Sequence, residues 1–336
     1  MRSATFLLAM IVAASLAAPW YASRVSGTDP FRSTPAGHVA GPDSPALLAV
    51  QDGGLGVVPA GPGWRGPYLL GADAQGRDVA ARLLYGGRAS LLVSGGATLL
   101  CLAAATLLGL LAGFAGGWVD ALLARTLDLL WAFPVFLLAI SLAVVSLQGG
   151  LSLGPLHVAP DSLLLPTLII AIAYVPYVAR PVRAQVLALA RAEFVTAARV
   201  GGATPARILA REVLPGVLPT LLAFAPLVLA ISLLTESALS FLGIGVQPPA
   251  ASWGSLIHEG LDLLFLRPLV AILPGLDHLA PQRRPIPIAA AILSHRDLGH
   301  PVSRTTVANT TIHEPGEHPP IAAPVRLTTR TVSEND

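Results

Sequence analysis

The chain has 336 residues, 54% of them hydrophobic and only 12% charged, with a formal net charge of +2 and a mean hydropathy of +0.68. Soluble domains carry about 25% charged residues, so much of this surface must face something other than water. All 21 basic residues are arginine, so no G-x-x-x-x-G-K phosphate loop exists, and the one cysteine, Cys101, excludes an intramolecular disulfide framework. If ATP powers this protein, another chain binds it.

A helix that crosses a bilayer needs about 20 mostly apolar residues. Five segments reach or approach that length: 4–20, 89–113, 129–147, 163–179 and 216–235. A sixth begins near Leu261, but Arg267 interrupts it and the apolar run stops at Leu276. The first segment, behind Arg2, has two readings. Small residues at Ala17, Ala18 and Ala22 fit a cleavable signal peptide. The further spans and the interfacial Pro19-Trp20-Tyr21 favour an uncleaved anchor. Either reading delivers the next loop, 21–88, to the outside, and its stretch 23–66, rich in Pro and Gly, reads as irregular.

Within the spans, Gly109, Gly113 and Gly117 fall four apart and share a face that a neighbouring backbone can approach. Pro134, Pro166, Pro176, Pro219 and Pro226 lie within or at the ends of spans, where they kink helices and free carbonyls. Arginine accumulates in one short connection, at Arg180, Arg183, Arg191, Arg199, Arg207 and Arg211, while 148–162 and 236–260 contain none. The positive-inside rule therefore places 180–215 in the cytoplasm and the other two connections outside.

That cytoplasmic connection predicts a helix over 183–200, broken by Gly201-Gly202. Thr204 then fits an N-cap and Pro205 the first helical position of a short helix, 205–213, that ends at Leu214-Pro215. Arg207 and Arg211 share a face, with Ile208, Leu209 and Val213 supplying apolar contacts. Such a helix suits docking in a groove on a soluble partner; it equally suits resting on anionic lipid head groups.

The segment from Glu193 to Pro215 resembles the EAA loop of binding-protein-dependent ABC importer permeases. Ala197, Ala198, Gly202, Leu214 and Pro215 match that pattern at its spacing, while Thr196 and Glu212 replace its Glu and Ile. The resemblance implies that Pro205, Arg207, Ile208 and Arg211 belong to a coupling helix held by an ATPase subunit. Gly71-Ala-Asp-Ala-Gln-Gly-Arg-Asp78 and Arg82-Leu-Leu-Tyr-Gly-Gly-Arg88 are similar to the block before the second helix of C-type dipeptide, oligopeptide and nickel permeases. Gly116-Gly-Trp-Val-Asp120, Asp128-Leu-Leu-Trp-Ala-Phe-Pro134, Thr235-Glu-Ser-Ala-Leu-Ser-Phe-Leu-Gly243 and Ser252-Trp-Gly254 continue the likeness through about residue 276.

The resemblance implies an all-α integral membrane bundle, normally of six transmembrane helices and here of five clear ones plus a truncated sixth. It divides the chain into an N-terminal membrane helix (1–22), an extracytoplasmic loop (23–88), a permease core (89–276) and an atypical tail (277–336). It implies an inner-membrane, multi-pass protein that works with a second permease subunit, cytoplasmic ATPase subunits and an extracytoplasmic substrate-binding protein. Peptides or similar small solutes would be the cargo.

The tail holds five histidines, at 278, 295, 300, 313 and 318, in no defined metal-site spacing. It reads as disordered, and as the product of a shifted reading frame near codon 277 in a non-functional permease. No nucleic-acid partner, cofactor, metal site or catalytic group is expected. An ion-coupled secondary transporter usually places ionisable residues inside its spans; here the spans hold none at their centres, and Glu236 lies at an end. A membrane enzyme finds no paired carboxylates or Ser/His/Asp group at credible depth, and His258-Glu259 reads as an exposed polar pair in an outer loop.

Overall fold

The computed structural model describes residues 2–39, 44–50, 57–63, 67–153, 156–264 and 272–273. They belong to one of two compact units, Met1–Arg283; the second, Arg284–Asp336, lies outside the described residues, as do the expected tail and most of the sixth span. In chain order the helices are α1 (Arg2–Leu16), α2 (Ala18–Tyr21), α3 (Val79–Ala115), α4 (Gly117–Ala132), α5 (Val135–Leu147), α6 (Leu164–Leu189), α7 (Glu193–Val200), α8 (Pro205–Ile208), α9 (Leu214–Phe241) and α10 (Trp253–Leu261). Two short antiparallel pairs interrupt the connections, Leu48–Val50 with Val57–Pro59 and Leu151–Leu153 with Leu156–Val158. The stretch expected to be irregular thus contains a small hairpin, seated on buried Leu47, Tyr68 and Ala72.

Among the described residues three helices are long and apolar enough to cross a membrane, or four if α4 and α5 are one broken span. That is fewer than the five expected. α1 has 15 residues; Pro19, which cannot continue the hydrogen-bond ladder, follows at once. The expected span 129–147 is bent by 90° between α4 and α5, at the Pro134 already marked as a kink position. Pro134 donates no N–H, and its ring drives Phe133 out of the helical region, to φ −89° and ψ 137°. α3 starts ten residues before the apolar window because Asp78 caps it, its side chain accepting from the Ala80 and Ala81 N–H groups at 2.9 and 3.2 Å.

Close contacts fix the direction of each helix. A Cβ on Gly96 would meet Thr167 at 3.1 Å, one on Gly109 would meet Val182 at 2.5 Å and one on Gly113 Val186 at 2.7 Å. The pairing advances in step, so α3 and α6 are parallel. Gly109 and Gly113 thus do what their spacing suggested; Gly117 lies beyond the end of α3, with no atom near its would-be Cβ. α9 is antiparallel to α6: Gln185 Nε2 donates to the Gly216 carbonyl at 2.7 Å, and the Tyr174 and Thr235 hydroxyls are 2.7 Å apart. The connection holding 190–213 therefore sits at the end of the bundle opposite to α10 and the start of α3.

At that other end, distant motif blocks prove to be one joint. Trp253 packs where Gly87 leaves room, a Cβ there falling 2.7 Å from the indole. Its backbone N–H donates to Ser90 Oγ at 3.1 Å and its Nε1 to the Leu83 carbonyl at 3.2 Å. Arg77 and Arg82 both donate to Glu259 Oε2, at 2.7 and 2.8 Å, and Arg77 Nε also donates to Asp73 Oδ2 at 2.7 Å. The Asp78 carboxylate further accepts from the Tyr68 N–H at 3.2 Å and from the Ser26 hydroxyl. His258 is exposed as expected, but Glu259 is half-buried and neither lies in a loop. Both lie on α10, with Glu259 held by two arginines and the His258 ring edge-on to Phe241 at 5.8 Å. Arg82 is 1% exposed, a burial that its carboxylate partners compensate; breaking such a pair costs about 3–5 kcal/mol.

The α3–α6 contact yields a direct check. Gly113→Ala should lower stability by about 1–3 kcal/mol through overpacking against Val186. Gly95→Ala, with nothing within 4 Å of its would-be Cβ, should be neutral or stabilise by about 0.5–1 kcal/mol through helix propensity. Thermal unfolding in detergent reads both; equal losses would contradict the packing.

Candidate functional site

The arginine-rich connection folds in three steps. α6 does not stop at Ala179 but continues through Leu189, and the expected helix 183–200 is split at 190–192, with Ala192 extended at ψ 151°. The turn lets Val195, fully buried, reach the core; a straight continuation would carry it past the end of the bundle. α7 then ends as the sequence requires. The Ala203 N–H donates to the Ala198 carbonyl and the Gly202 N–H to the Arg199 carbonyl, each at 3.0 Å, with Gly202 at φ +78°. This is a Schellman cap, and its left-handed position is the reason for glycine there.

Thr204 caps the next helix, its hydroxyl accepting from the Arg207 N–H at 3.4 Å, with Pro205 at the first helical position. The segment does not end at Leu214-Pro215. A π-helical turn, Leu209–Val213, joins α8 to α9, so the helix runs from Pro205 to Phe241. Pro215 lacks the N–H that would bond the Arg211 carbonyl, and its ring would crowd that carbonyl; the wider π turn relieves both conflicts.

Burial divides the expected site residues. Ile208 is buried, Ala198 and Leu214 are half-buried against the core, and Ala197, Gly202, Pro205, Arg207, Arg211 and Pro215 are exposed. Val195, Ile208 and Val213 thus anchor the connection from below, while both arginines of the short helix face out. Sequence reading missed Val195 as an anchor; beside the exposed Phe194, nothing in the local pattern marks it as the buried one of the two.

Two other arginines prove to be bracing. Arg183 Nη2 donates to Asp120 Oδ2 at 2.7 Å, and its Nε also reaches that carboxylate. Arg180 pairs with Asp128 and lies over the Trp131 ring, 4.5 Å from its centroid. Arg199 sits over Phe114 at 5.7 Å. Asp120 and Asp128, noted in sequence only as parts of motif blocks, fasten α4 to α6.

A family model described as "Binding-protein-dependent transport system inner membrane component" matches residues 105–292, more than half of the chain and all of this connection. The chain belongs to that family. Inner-membrane permeases of this family are membrane-embedded, in keeping with the apolar helices above, and the match runs past residue 276, where the motif likeness ended. The glutathione transport system permease protein GsiD of Pectobacterium atrosepticum is 38% identical over 209 residues, covering 62% of this chain and 65% of that protein. A putative peptide transport system permease of Brucella suis is 38% identical over 214 residues, covering 62% and 66%. The dipeptide transport system permease protein DppC of Alkalihalophilus pseudofirmus is 36% identical over 208 residues, covering 62% and 64%. The chain thus spans a little under two thirds of the length of these relatives.

The anchoring has a measurable consequence. Ile208→Ala should cost about 2–5 kcal/mol locally, loosening the connection more than the bundle. Trypsin cleavage after the exposed Arg207 and Arg211 should accelerate, with cleavage elsewhere unchanged; an unaltered digestion pattern would refute the anchoring role.

Proposed function

We propose that this permease is the transmembrane subunit of an ATP-driven importer, forming the translocation pathway for peptides or similar small solutes. The observation that carries the reading is the exposed Arg207–Arg211 surface, seated on buried Ile208 and Val213 and fused without a break to α9. A cytoplasmic ATPase that grips this surface moves α9 with it. The helix is 28 residues long, about 42 Å at 1.5 Å per residue. ATP hydrolysis belongs to that partner; this chain supplies the pathway and the lever.

The arginine distribution supports a cytoplasmic 180–215, with Ala197, Ala198, Gly202, Leu214 and Pro215 shaping the coupling element and Pro205, Arg207, Ile208 and Arg211 forming it. Residues 1–22 then enter the membrane, 23–88 lie outside, and 89–276 form the permease core, with five clear spans and a truncated sixth in place of the usual six. A second permease subunit lines the other half of the pathway, two ATPase subunits power it, and an extracytoplasmic binding protein delivers the cargo. Relatives named for glutathione, peptide and dipeptide transport support peptide-like cargo. Coupling requires that the ATPase contact differ in free energy between two states of the bundle.

Co-purification tests this. Wild-type chain in mild detergent should bring down an ATPase subunit. Arg207→Glu should weaken that association by tenfold or more, a loss of at least about 1.4 kcal/mol, while membrane insertion stays intact. Gly202→Pro should do the same, because proline cannot adopt φ +78°. Normal ATPase recovery with both variants would refute the reading.

A further inference from the structure

The end of α9 opposite to the arginine-rich connection carries Glu236, a fully buried carboxylate. Its Oε1 accepts from the Ser240 hydroxyl at 2.8 Å and its Oε2 from the Ser237 hydroxyl at 3.3 Å. The Ser90 hydroxyl of α3 and the hydroxyl of Ser252, which caps α10, also bond this carboxylate. Three of these hydroxyls accept as well. Ser90 Oγ takes the Trp253 N–H at 3.1 Å, Ser240 Oγ the Val246 N–H at 3.0 Å, and Ser252 Oγ the Ser255 N–H at 3.2 Å. Each thus relays a backbone N–H to one carboxylate, and the members of such chains polarise one another.

The relays hold a wedge. Residues 252–254 sit between α3 and α9: a Cβ on Gly86 would lie 3.2 Å from the Ser252 carbonyl carbon, and one on Gly254 would run into the Ser237 carbonyl oxygen. The carboxylate has no countercharge. Among the described residues no arginine or histidine pairs with it, and Arg77 and Arg82, at the same end, are taken by Asp73 and Glu259. Burying a carboxylate against hydroxyls and the first turn of α10 alone costs more hydration than those contacts return. A neutral group of the same shape would hold the wedge at less cost.

We infer that Glu236 is a releasable latch, seating the first turn of α10 between α3 and α9 while dry and regaining its hydration when the wedge parts. The group organises the closed joint and at the same time lowers the free energy of opening it. A modest displacement of α9 then suffices to shift the joint between its closed and parted forms. The inference rests on the ATP-driven reading for the source of that displacement.

Val246→Cys supplies a reporter beside Ser240, since Val246 is 4% exposed and the native Cys101 is fully buried. With the full chain and its partners in nanodiscs, the charged reagent 2-sulfonatoethyl methanethiosulfonate modifies residue 246 only when the joint parts. Glu236→Gln should slow that modification by about tenfold, the scale on which neutral replacement of a buried charge stabilises the closed form. Modification of Asp161→Cys, exposed on another connection, should not change. A residue that merely props the joint predicts the opposite sign, faster modification with Glu236→Gln. Ser240→Ala strips a donor from the carboxylate and should speed modification by about tenfold. In the Glu236→Gln background its effect should be much smaller. An unchanged or faster rate with Glu236→Gln, or failure of that variant to accumulate, would overturn the latch. ATP with vanadate is a separate arm: a rate at 246 that does not respond counts against the ATP-driven reading, while the order of the variants still decides the latch.

Discussion

The contact on which the rest of the structure depends is the parallel packing of α3 on α6 through Gly109 and Gly113. Val182 and Val186 fill the space that a side chain at either glycine would occupy, with the Arg183 backbone 3.0–3.1 Å from the two would-be Cβ positions. In lipid the hydrophobic effect offers little drive for two helices to associate, so close van der Waals contact must supply it. Because the pair is parallel, the chain between them has to return the whole way, and α4 with α5 does this in two pieces. Because α9 runs antiparallel to α6, 190–213 emerges at one end and α10 at the other. One packing choice therefore places the candidate lever and the Glu259 joint at opposite ends.

Charge is handled with the same economy. Only 12% of the chain is charged, and several of its charges are paired with one another. Arg77 and Arg82 meet Glu259 and Asp73, Arg183 meets Asp120, and Arg180 meets Asp128. Apart from the local contacts to Asp73, each pair also ties two segments far apart in sequence, so an ion pair here fixes helix positions as well as compensating a charge. Glu236, fully buried near the end of α9, is met instead by serine hydroxyls, Ser240 at 2.8 Å and Ser237 at 3.3 Å. Arg207 and Arg211 differ from all of these: they stand on an anchored helix and face outward, the condition for recognition by another chain.

Much of the architecture was legible before any coordinates. Apolar runs located α3, α6 and α9, the arginine count separated the two ends, and Gly202, Thr204 and Pro205 marked the local caps correctly. Helix ends and breaks were less accessible, for identifiable reasons. An apolar window could not see that Asp78 starts α3 within a charged stretch, or that paired arginines let α6 run to Leu189. Pro134 and Pro215 look alike in sequence, yet one bends the chain by 90° and the other is absorbed by a π turn. The difference is set by neighbours: Val213 and Val217 are buried and hold α9 in line with α8, whereas Phe133 and Pro134 are exposed. The pairing of Glu259 with Arg77 and Arg82 joins residues 182 and 177 positions apart, a separation that no local pattern reports.

The absorbed proline matters for how force could pass through the chain. Had the helix ended at Leu214-Pro215, a partner gripping Arg207 would move a flexible loop, and the displacement would dissipate before reaching the bundle. With α8, the π turn and α9 continuous, the same displacement is applied to a rod whose base is clamped by Gln185, donating to the Gly216 carbonyl at 2.7 Å. The rod touches α6 again through Thr235 and Tyr174, and Tyr174 is in turn edge-on to Tyr177. Packed elements of this kind shift between discrete arrangements rather than deforming smoothly. A rotation or slide of α9 therefore loads its hydrogen-bonded seam with α6 at both ends, and reaches α10 through the Phe241–His258 contact, while α10 is itself held to α3 by Trp253 and the Glu259 pairs.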